Sequence, residues 1–176
     1  MDGYLDDVIA RFAELKKLAE KAVEQTDEDK FFYCPDPESN SIAITMKHLA
    51  GNMKSRWTDF LTTDGEKPDR NRDTEFETVT GETRGQILAA WDEGWEVLFR
   101  TMRSLKPADL TRTVPIRNEP HVVFQAINRQ LLHYGYHVGQ IVYLARHLAW
   151  QKWNSLSVPR GGSRAFNQSK NLSPDQ

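Results

Sequence analysis

The pattern of hydrophobic and polar positions predicts four long helices. In the first, apolar residues recur at alternating spacings of three and four, the period of a helix with one buried face; they are Leu5, Val8, Phe12, Leu15, Ala19 and Ala22. We expect this helix to end near Thr26, before a charged run. Asn40 or Ser41 is a suitable N-cap for a second helix, which runs to about Leu61. Its apolar positions are Ile42, Leu49, Met53 and Phe60.

Two further helices are predicted after a polar connection that occupies residues 62–81. Thr83 and Gln86 have the spacing of a capping box. The apolar seam of the third helix is Trp91, Trp95, Leu98, Met102 and Leu105. Pro107 marks its end, and residues 112–116 are a candidate short strand. Pro120 suits the first turn of a fourth helix, which is expected to run to about Ala149.

Four amphipathic helices in 176 residues predict an all-α, four-helix bundle domain over residues 1–150. Residues 151–176 are expected to form a polar tail that packs on the bundle or trails from it. Its prolines and glycines, such as Pro159 and Gly161, disfavour a long helix. The connection at residues 62–81 is unusually long for neighbouring helices, so it is a crossover or a functional loop.

Composition and charge narrow the class of protein. The 23 basic and 25 acidic residues give a net charge of -2, which argues against a protein that mainly binds nucleic acid. The acidic N-terminus does not resemble a secretory signal, and no stretch has the ~18–20 apolar residues of a membrane span. We therefore predict a cytoplasmic protein without a membrane partner, although a single free cysteine also suits the periplasm.

Histidine is the most informative residue type for chemistry. The single cysteine, Cys34, excludes an intramolecular disulfide and a zinc site built from several thiolates, so a metal would depend on carboxylates and the five histidines. His133 and His137 are four residues apart, about 40° from each other on one helix face. The same face carries Ile141 and Leu144, so it points inward. Such a pair either binds a metal or forms hydrogen bonds with tyrosine side chains or backbone carbonyls.

A metal would need a third protein ligand, for which His48 is the best candidate by its position in the chain. However, it lies roughly 100° from the apolar face of the second helix, so periodicity alone places it at the surface. Its own stripe includes Asn52 and Ser55, which either line a polar cavity or face water. His121 and His147 fit a shared site less well.

Several other residues have a functional and a plain structural interpretation. Asn52, Arg129 and Gln140 lie within about one turn of the three histidines and would be placed to orient them, although packing or surface roles are more common. Glu119 is a candidate base. The aromatic residues Trp57, Trp91, Trp95 and Tyr136 are interpreted as core residues, and Cys34 as incidental.

Several segments resemble a known family. His133-Tyr134-Gly135-Tyr136-His137-Val138-Gly139-Gln140-Ile141 resembles the final-helix signature of the DinB-like (YfiT-like) metal-binding bundle superfamily. Residues 40–43 and 47–52 resemble its second-helix histidine region, and residues 156–163 resemble one uncharacterised branch of it. The resemblance extends from the first helix to Asn167. The combination of these segments is specific, whereas each segment alone is weak.

The resemblance implies a bundle with up-down-down-up connectivity, in which the connection at residues 62–81 is the crossover. It also implies a three-histidine metal site formed by His48, His133 and His137, with zinc or nickel as the ion, and a homodimer. Some members of the superfamily transfer low-molecular-weight thiols, and others perform thiol-dependent isomerisation or hydrolysis.

Two functions therefore stay open from the sequence. The first is a metal-dependent enzyme of the transferase or hydrolase type that acts on a small molecule, with a low-molecular-weight thiol as a candidate cofactor. A cation held by three neutral imidazoles keeps an open coordination position for such chemistry. The alternative is a non-enzymatic metal-binding or interaction protein, in which the ion is mainly structural.

Overall fold

The structure, a computed structural model, describes residues 3–170 and is dominated by helices. Its α-helices are α1 (Tyr4–Val23), α2 (Glu28–Phe31), α3 (Ile42–Trp57), α4 (Arg84–Ser104), α5 (Val123–Leu148) and α6 (Ser163–Ser169). Short 3-10 helices cover Asp73–Phe76 and Pro107–Thr111. Strands β1 (Thr113–Ile116) and β2 (Glu119–Val122) pair antiparallel. The predicted all-α class is confirmed.

Local capping explains where the central helices begin. The side chain of Ser41 accepts a hydrogen bond from the Ile44 backbone N–H at 3.1 Å, and Thr83 and Gln86 form a reciprocal capping box. Both predicted starts are confirmed. Helix α3 ends at Trp57, earlier than expected, because Asp59 takes a left-handed, positive-φ conformation just beyond the helix end, and such a residue stops a helix.

The segment before α5 corrects one prediction. Pro120 does not lie in the first turn of a helix but in β2, paired with Pro115. Arg117 and Asn118 both have positive φ, as a two-residue hairpin turn requires, and the hairpin extends to Val122. Helix α5 therefore begins three residues after Pro120. The strand expected near residues 112–116 is present as β1.

The four long helices form two parallel pairs around one core. Tyr4 Oη donates to the Phe124 carbonyl oxygen at 3.3 Å, so α1 and α5 begin together. Thr101 Oγ1 donates to the Trp57 carbonyl oxygen at 2.8 Å, so α3 and α4 end together. Arg84, the first residue of α4, donates to the carbonyl oxygens of Val23, the last residue of α1, and of Thr26 just beyond it. The two pairs therefore run in opposite directions, and the connection between α3 and α4 must cross the length of the molecule.

The centre of the core is aromatic and contains a buried chain of hydrogen bonds. The rings of Phe12, Trp57, Trp95 and Tyr134 are buried and contact one another, with Phe12–Trp57 centroids 6.3 Å apart. Trp57 Nε1 donates to Tyr134 Oη at 2.9 Å, and Tyr134 Oη donates to Asn52 Oδ1 at 3.0 Å. This chain ties α3 to α5 without leaving its polar atoms unpaired.

The beginning of the C-terminal tail packs on the bundle. Trp153 and Leu156 are partly buried against the core, and Asn154 N–H donates to Gln25 Oε1 at 2.6 Å. Helix α6 has no buried residue. The predicted domain boundary at residue 150 stays a prediction, and Pro174 lies outside the described residues. Within those residues, no helix combines the length and apolar character needed to cross a membrane.

Candidate metal centre

Three histidines from two helices converge at one point. His48 lies on α3, and His133 and His137 lie on α5; one ring nitrogen of each lies within 4.8 Å of the others. Their ring centroids are 4.8, 5.0 and 5.4 Å apart. His121 is not part of this cluster and faces Glu119 in the hairpin, 3.9 Å away. The structure thus brings together the three histidines that the resemblance implied.

The hydrogen bonds of two rings define their tautomers. His48 Nδ1–H donates to Glu75 Oε2 at 2.8 Å, and His137 Nδ1–H donates to Gln140 Oε1 at 2.8 Å. Because a neutral imidazole carries one N–H, both Nε2 atoms keep a lone pair. His48 Nε2 lies 3.4 Å from His133 Nε2. Of the predicted orienting residues, Gln140 contacts a histidine, whereas Asn52 contacts Tyr134.

Glu75 is the partner of His48, and the sequence did not single it out. It lies in the 3-10 helix of the long connection and is buried. Arg70 Nε and Nη2 each donate to one Glu75 oxygen at 2.8 Å. Burial raises the pKa of Glu75, but the hydrogen bonds from His48 and Arg70 outweigh it and lower the pKa. The carboxylate is therefore ionised and fixed against His48.

His133 and His137 are held neutral. Burial, followed by the proximity of the other histidines and two arginines, lowers the pKa of His133 to about 3. Burial also lowers the pKa of His137. Among the described residues, the buried Nδ1 of His133 has no hydrogen-bond partner. Neutral imidazoles are the form that can bind a cation.

The burial of His48 overturns the surface position that periodicity gave it, since only 4% of the residue is exposed. The long connection covers the polar side of α3. The Phe76 ring lies 4.7 Å from the His48 ring, and Ser55 Oγ donates to the Gly65 carbonyl oxygen at 3.0 Å. The polar stripe of α3 therefore faces another segment of the chain instead of water.

Comparison with known proteins places this fold in a family. The chain matches the family described as "Protein of unknown function (DUF1572)" over residues 1–162. It belongs to that family. DUF1572 is a DinB-like family, so the resemblance found in the sequence is confirmed. A comparison with curated proteins gives no match.

A solved structure supports the same fold for this DUF1572 member. The chain is similar to the crystal structure of a DinB-like protein, YjoA, from Bacillus subtilis, with a TM-score of 0.64 and 14% sequence identity. The match covers 86% of this chain and 96% of the YjoA chain. At this identity the likeness shows the fold alone.

Beside the histidines of this DUF1572 member lies a cleft of about 220 Å³ lined by five arginines, which we name the arginine cleft. The arginines are Arg56, Arg70, Arg72, Arg117 and Arg129, and the other lining residues are His48, Asn52, Gln130 and His133. Burial lowers the pKa of Arg56, and the charges of Arg129 and Arg70 act in the same direction. The site therefore combines the neutral imidazoles of His133 and His137 with concentrated positive charge.

The remaining candidates lie elsewhere. Glu119 is exposed on the hairpin, and Trp91 and Trp95 are core residues. Tyr136 is 63% exposed, so its assignment to the core is wrong. Cys34 lies in the loop after α2 and is not among the clustered metal-ligand candidates.

Proposed function

We propose that His48, His133 and His137 bind a divalent cation, zinc or nickel, and that the centre serves a transferase or hydrolase reaction on a small molecule. The observation that carries the proposal is the convergence of ring nitrogens, with the Nε2 atoms of His48 and His133 3.4 Å apart. For metal–nitrogen bonds of about 2.0–2.1 Å, tetrahedral geometry separates two ligand nitrogens by roughly 3.3–3.4 Å. The His48–His133 pair has this spacing, and one ring nitrogen of each of the three histidines lies within 4.8 Å of the others.

A network of hydrogen bonds among the histidines alone accounts for the cluster less well. His48 and His137 already use their N–H groups on Glu75 and Gln140, so only His133 has a proton to share. If His133 carries its proton on Nε2, it can donate to only one of the two other histidines, and its Nδ1 becomes an unpaired buried acceptor. A proton on Nδ1 leaves three lone pairs facing one another. A cation accepts all three lone pairs and leaves only the His133 Nδ1–H, which lines the arginine cleft, without a partner among the described residues.

The surroundings of the ligands support the same proposal. Metal-binding histidines usually donate their second N–H to a carboxylate or carbonyl, which fixes the ring and increases its basicity. Arg70, Glu75 and His48 form such a chain on the α3 side. Gln140 holds His137 on the α5 side.

The chemistry follows from the donor set. When bound, a divalent cation supplies Lewis acidity that activates a water molecule for hydrolysis or a thiol for transfer. The reactive thiol would come from a low-molecular-weight cofactor, because Cys34 lies outside the cluster. The arginine cleft would hold the substrate beside the histidines.

A structural role for the ion is the second candidate function. The site joins α3 to α5, two elements whose histidines lie 85 residues apart in the chain, so an ion there would cross-link the bundle. An ion with no exchangeable position and no effect on small-molecule binding would favour this role. A screen of thiols and electrophilic substrates against metal-loaded and metal-free protein separates the two, since only the enzyme shows metal-dependent turnover.

The predicted assembly is a homodimer, with no nucleic acid or membrane partner and a cytoplasmic location. Helix α5 offers a surface for self-association, because Leu132, Tyr136, Tyr143 and Trp150 on and just after it are 63–77% exposed. Large exposed apolar groups in one region are typical of interfaces. Light scattering of the purified chain tests the dimer.

Removal of each histidine tests the metal proposal. His48→Ala, His133→Ala and His137→Ala are each expected to reduce bound metal at least ~10-fold after dialysis, because two imidazoles hold a divalent ion far less tightly than three. Elemental analysis measures the metal, and circular dichroism verifies the fold. His147→Ala, an exposed histidine on α5, is the control and should retain full metal content. Full metal content in all three site variants would refute the proposal.

A further inference from the structure

We propose that the arginine cleft binds the carboxylate or phosphate group of a small molecule, placed next to the three histidines. Binding of the anion does not need a metal. Its role as the substrate of the histidine centre rests on the proposed function.

The buried end of the cleft is formed by a guanidinium group, that of Arg56, whose N–H donors are partly unpaired. Only 4% of Arg56 is exposed, and its Nε and Nη1 have no hydrogen-bond partner among the described residues. The nearest carboxylate oxygen, Glu66 Oε2, lies 3.9 Å from Nη2. Unpaired donors on a buried guanidinium are costly. An oxyanion accepts two parallel N–H groups from arginine and would pair them.

The carboxylates around the cleft do not balance its charge. Glu75 is already shared by His48 and Arg70, and Glu66 contacts both Arg70 and Arg117 at 3.3 Å. Asp64 adds a third carboxylate near Arg56 and the backbone of Arg117, so the five guanidinium groups still outnumber the carboxylates around them, in a chain whose net charge is -2. Charge gathered in a concave site attracts ligands of opposite sign.

The arginines are arranged in depth as an anion would need them. Arg56 lies at the buried end, whereas Arg72, Arg117 and Arg129 are exposed at the rim. The rim residues come from three different parts of the chain: the long connection, the hairpin turn and α5. Repulsion between these like charges opposes their clustering. A bound anion would offset that repulsion.

Two further unpaired atoms indicate more of the ligand. Gln130 Oε1 is buried without a partner among the described residues, as is His133 Nδ1, and both residues line the cleft. An amide oxygen accepts hydrogen bonds only. A hydroxyl or amino group beside the anion would donate to Gln130, so a hydroxy acid matches the site better than a simple carboxylate.

The size of the cleft limits the ligand. The cleft is smaller than most pockets that enclose a whole drug-sized molecule. It therefore suits a small acid or the charged end of a longer molecule. The structure favours a small molecule over an extended polyanion for the same reason.

The test is a titration of metal-free, chelator-treated protein with lactate, with inorganic phosphate and with the neutral analogue lactamide, at constant ionic strength. Nitrogen–proton NMR of the arginine Nε–H groups reports binding at the guanidinium itself. Lactate and phosphate should shift the Arg56 signal in a saturable manner, and lactamide should not. Replacement of a charged hydrogen-bonding group is expected to weaken anion binding ~10-fold or more in Arg56→Gln.

Two variants make the result specific. Arg129→Gln, at the exposed rim, is expected to weaken lactate binding several-fold, and it decides the question if Arg56→Gln fails to fold. Arg103→Gln, an exposed arginine on α4 outside the cleft, should bind lactate as the wild type does. Absence of saturable binding of both anions, or equal weakening in Arg103→Gln, would overturn the proposal.

The outcome is distinguishable from failure of the metal proposal. Anion binding in a protein that retains no metal keeps the arginine cleft as an anion site and removes its metal-dependent role. Metal binding through the histidines without anion binding overturns the cleft proposal alone.

Discussion

Helices α3 and α5 both carry the clustered histidines, but they are buried in different ways. The buried positions of α5 follow a single stripe that includes Ala126, Ile127, Tyr134, Val138 and Ile141, while the opposite side is exposed. In α3, 13 of 16 residues are buried, polar and apolar alike. Helix α5 is thus an amphipathic surface helix, whereas α3 is enclosed on all sides.

The difference shows what the long connection contributes. On α3 the buried polar residues need partners, and the connection provides them: Glu75 for His48 and the Gly65 carbonyl oxygen for Ser55. The connection, residues 58–83, covers the side of α3 that faces away from the apolar core, and the surface it turns toward α3 is polar. We call this segment the wall. A helix between an apolar core and a polar wall can carry polar functional side chains on a buried face. Helix α5 does so only where it meets α3.

The largest expected effect comes from adding one methyl group to α3. A Cβ at Gly51 would lie 2.8 Å from Glu75 Cδ, so Gly51→Ala must displace the carboxylate that contacts His48 and Arg70. Overpacking of this kind is expected to lower the free energy of unfolding by about 1–3 kcal/mol. Urea unfolding of the metal-free protein measures it.

Helix α5 provides the matched control for that substitution. A Cβ at Gly139 meets no atom at contact distance, so Gly139→Ala should raise the free energy of unfolding by about 0.4–1 kcal/mol through the unfolded state. Opposite signs for the two substitutions would sharpen the contrast between the helices. Equal stabilisation would mean that the wall over α3 is loose enough to move aside.

A smaller effect is expected from neutralising the wall's carboxylate. Glu75→Gln keeps the shape of the side chain but removes the charge that His48 and Arg70 contact, so the proposed divalent ion should bind ~10–100-fold more weakly. Competition with a chelating dye measures the affinity. Glu77→Gln is the control, because Glu77 is exposed and uses its backbone carbonyl oxygen to accept from Lys47. Unchanged metal affinity in Glu75→Gln would show that the Glu75 charge does not contribute to ion binding and that the side chain only holds the connection in place.

The smallest effect is expected where the wall is anchored to the hairpin before α5. The Asp64 carboxylate accepts from the backbone N–H groups of Arg117 and Asn118 at 2.8 and 2.7 Å. Asp64→Asn loses one charged acceptor and should lower the free energy of unfolding by about 1 kcal/mol. Urea unfolding near neutral pH measures the loss.

The pH dependence of that loss is also fixed in sign. Burial raises the pKa of Asp64, but three backbone hydrogen bonds outweigh it and lower the pKa below the ordinary value of 3.8. A group with a lowered folded-state pKa stabilises the fold above its unfolded pKa, and this stabilisation disappears as the pH falls through the folded value. The difference between wild type and Asp64→Asn should therefore shrink below pH 3.8. A difference that stays constant into acid would assign the effect to shape alone.

The features that the sequence predicted are those that neighbouring residues determine. The N-caps at Ser41 and Thr83 and the inward face of α5, with His133 and His137, depend on residues within a few turns of the chain. Position along the chain made His48 a candidate, and the family resemblance outweighed the helical angle that spoke against it.

The features that were missed depend on distant contacts. Glu75 lies 27 residues from His48, and nothing in its local sequence distinguishes it from other acidic residues of the connection. The arginine cleft likewise gathers Arg56, Arg72, Arg117 and Arg129 from separate elements. Periodicity assumes one buried face per helix, which fails for α3 because the wall is supplied by another segment.

The separation of 85 positions between His48 and His133 has a consequence for folding. The local contacts of α3 with α4 can form without α5. The histidine cluster forms only when α5 packs on α3, and this long-range contact has the entropic cost of closing a long loop. An ion that binds only the native arrangement would stabilise the protein by mass action. The stabilisation grows with the logarithm of the ratio of the free ion concentration to the dissociation constant. Metal availability during synthesis would then act on the completed bundle and not on its earlier stages.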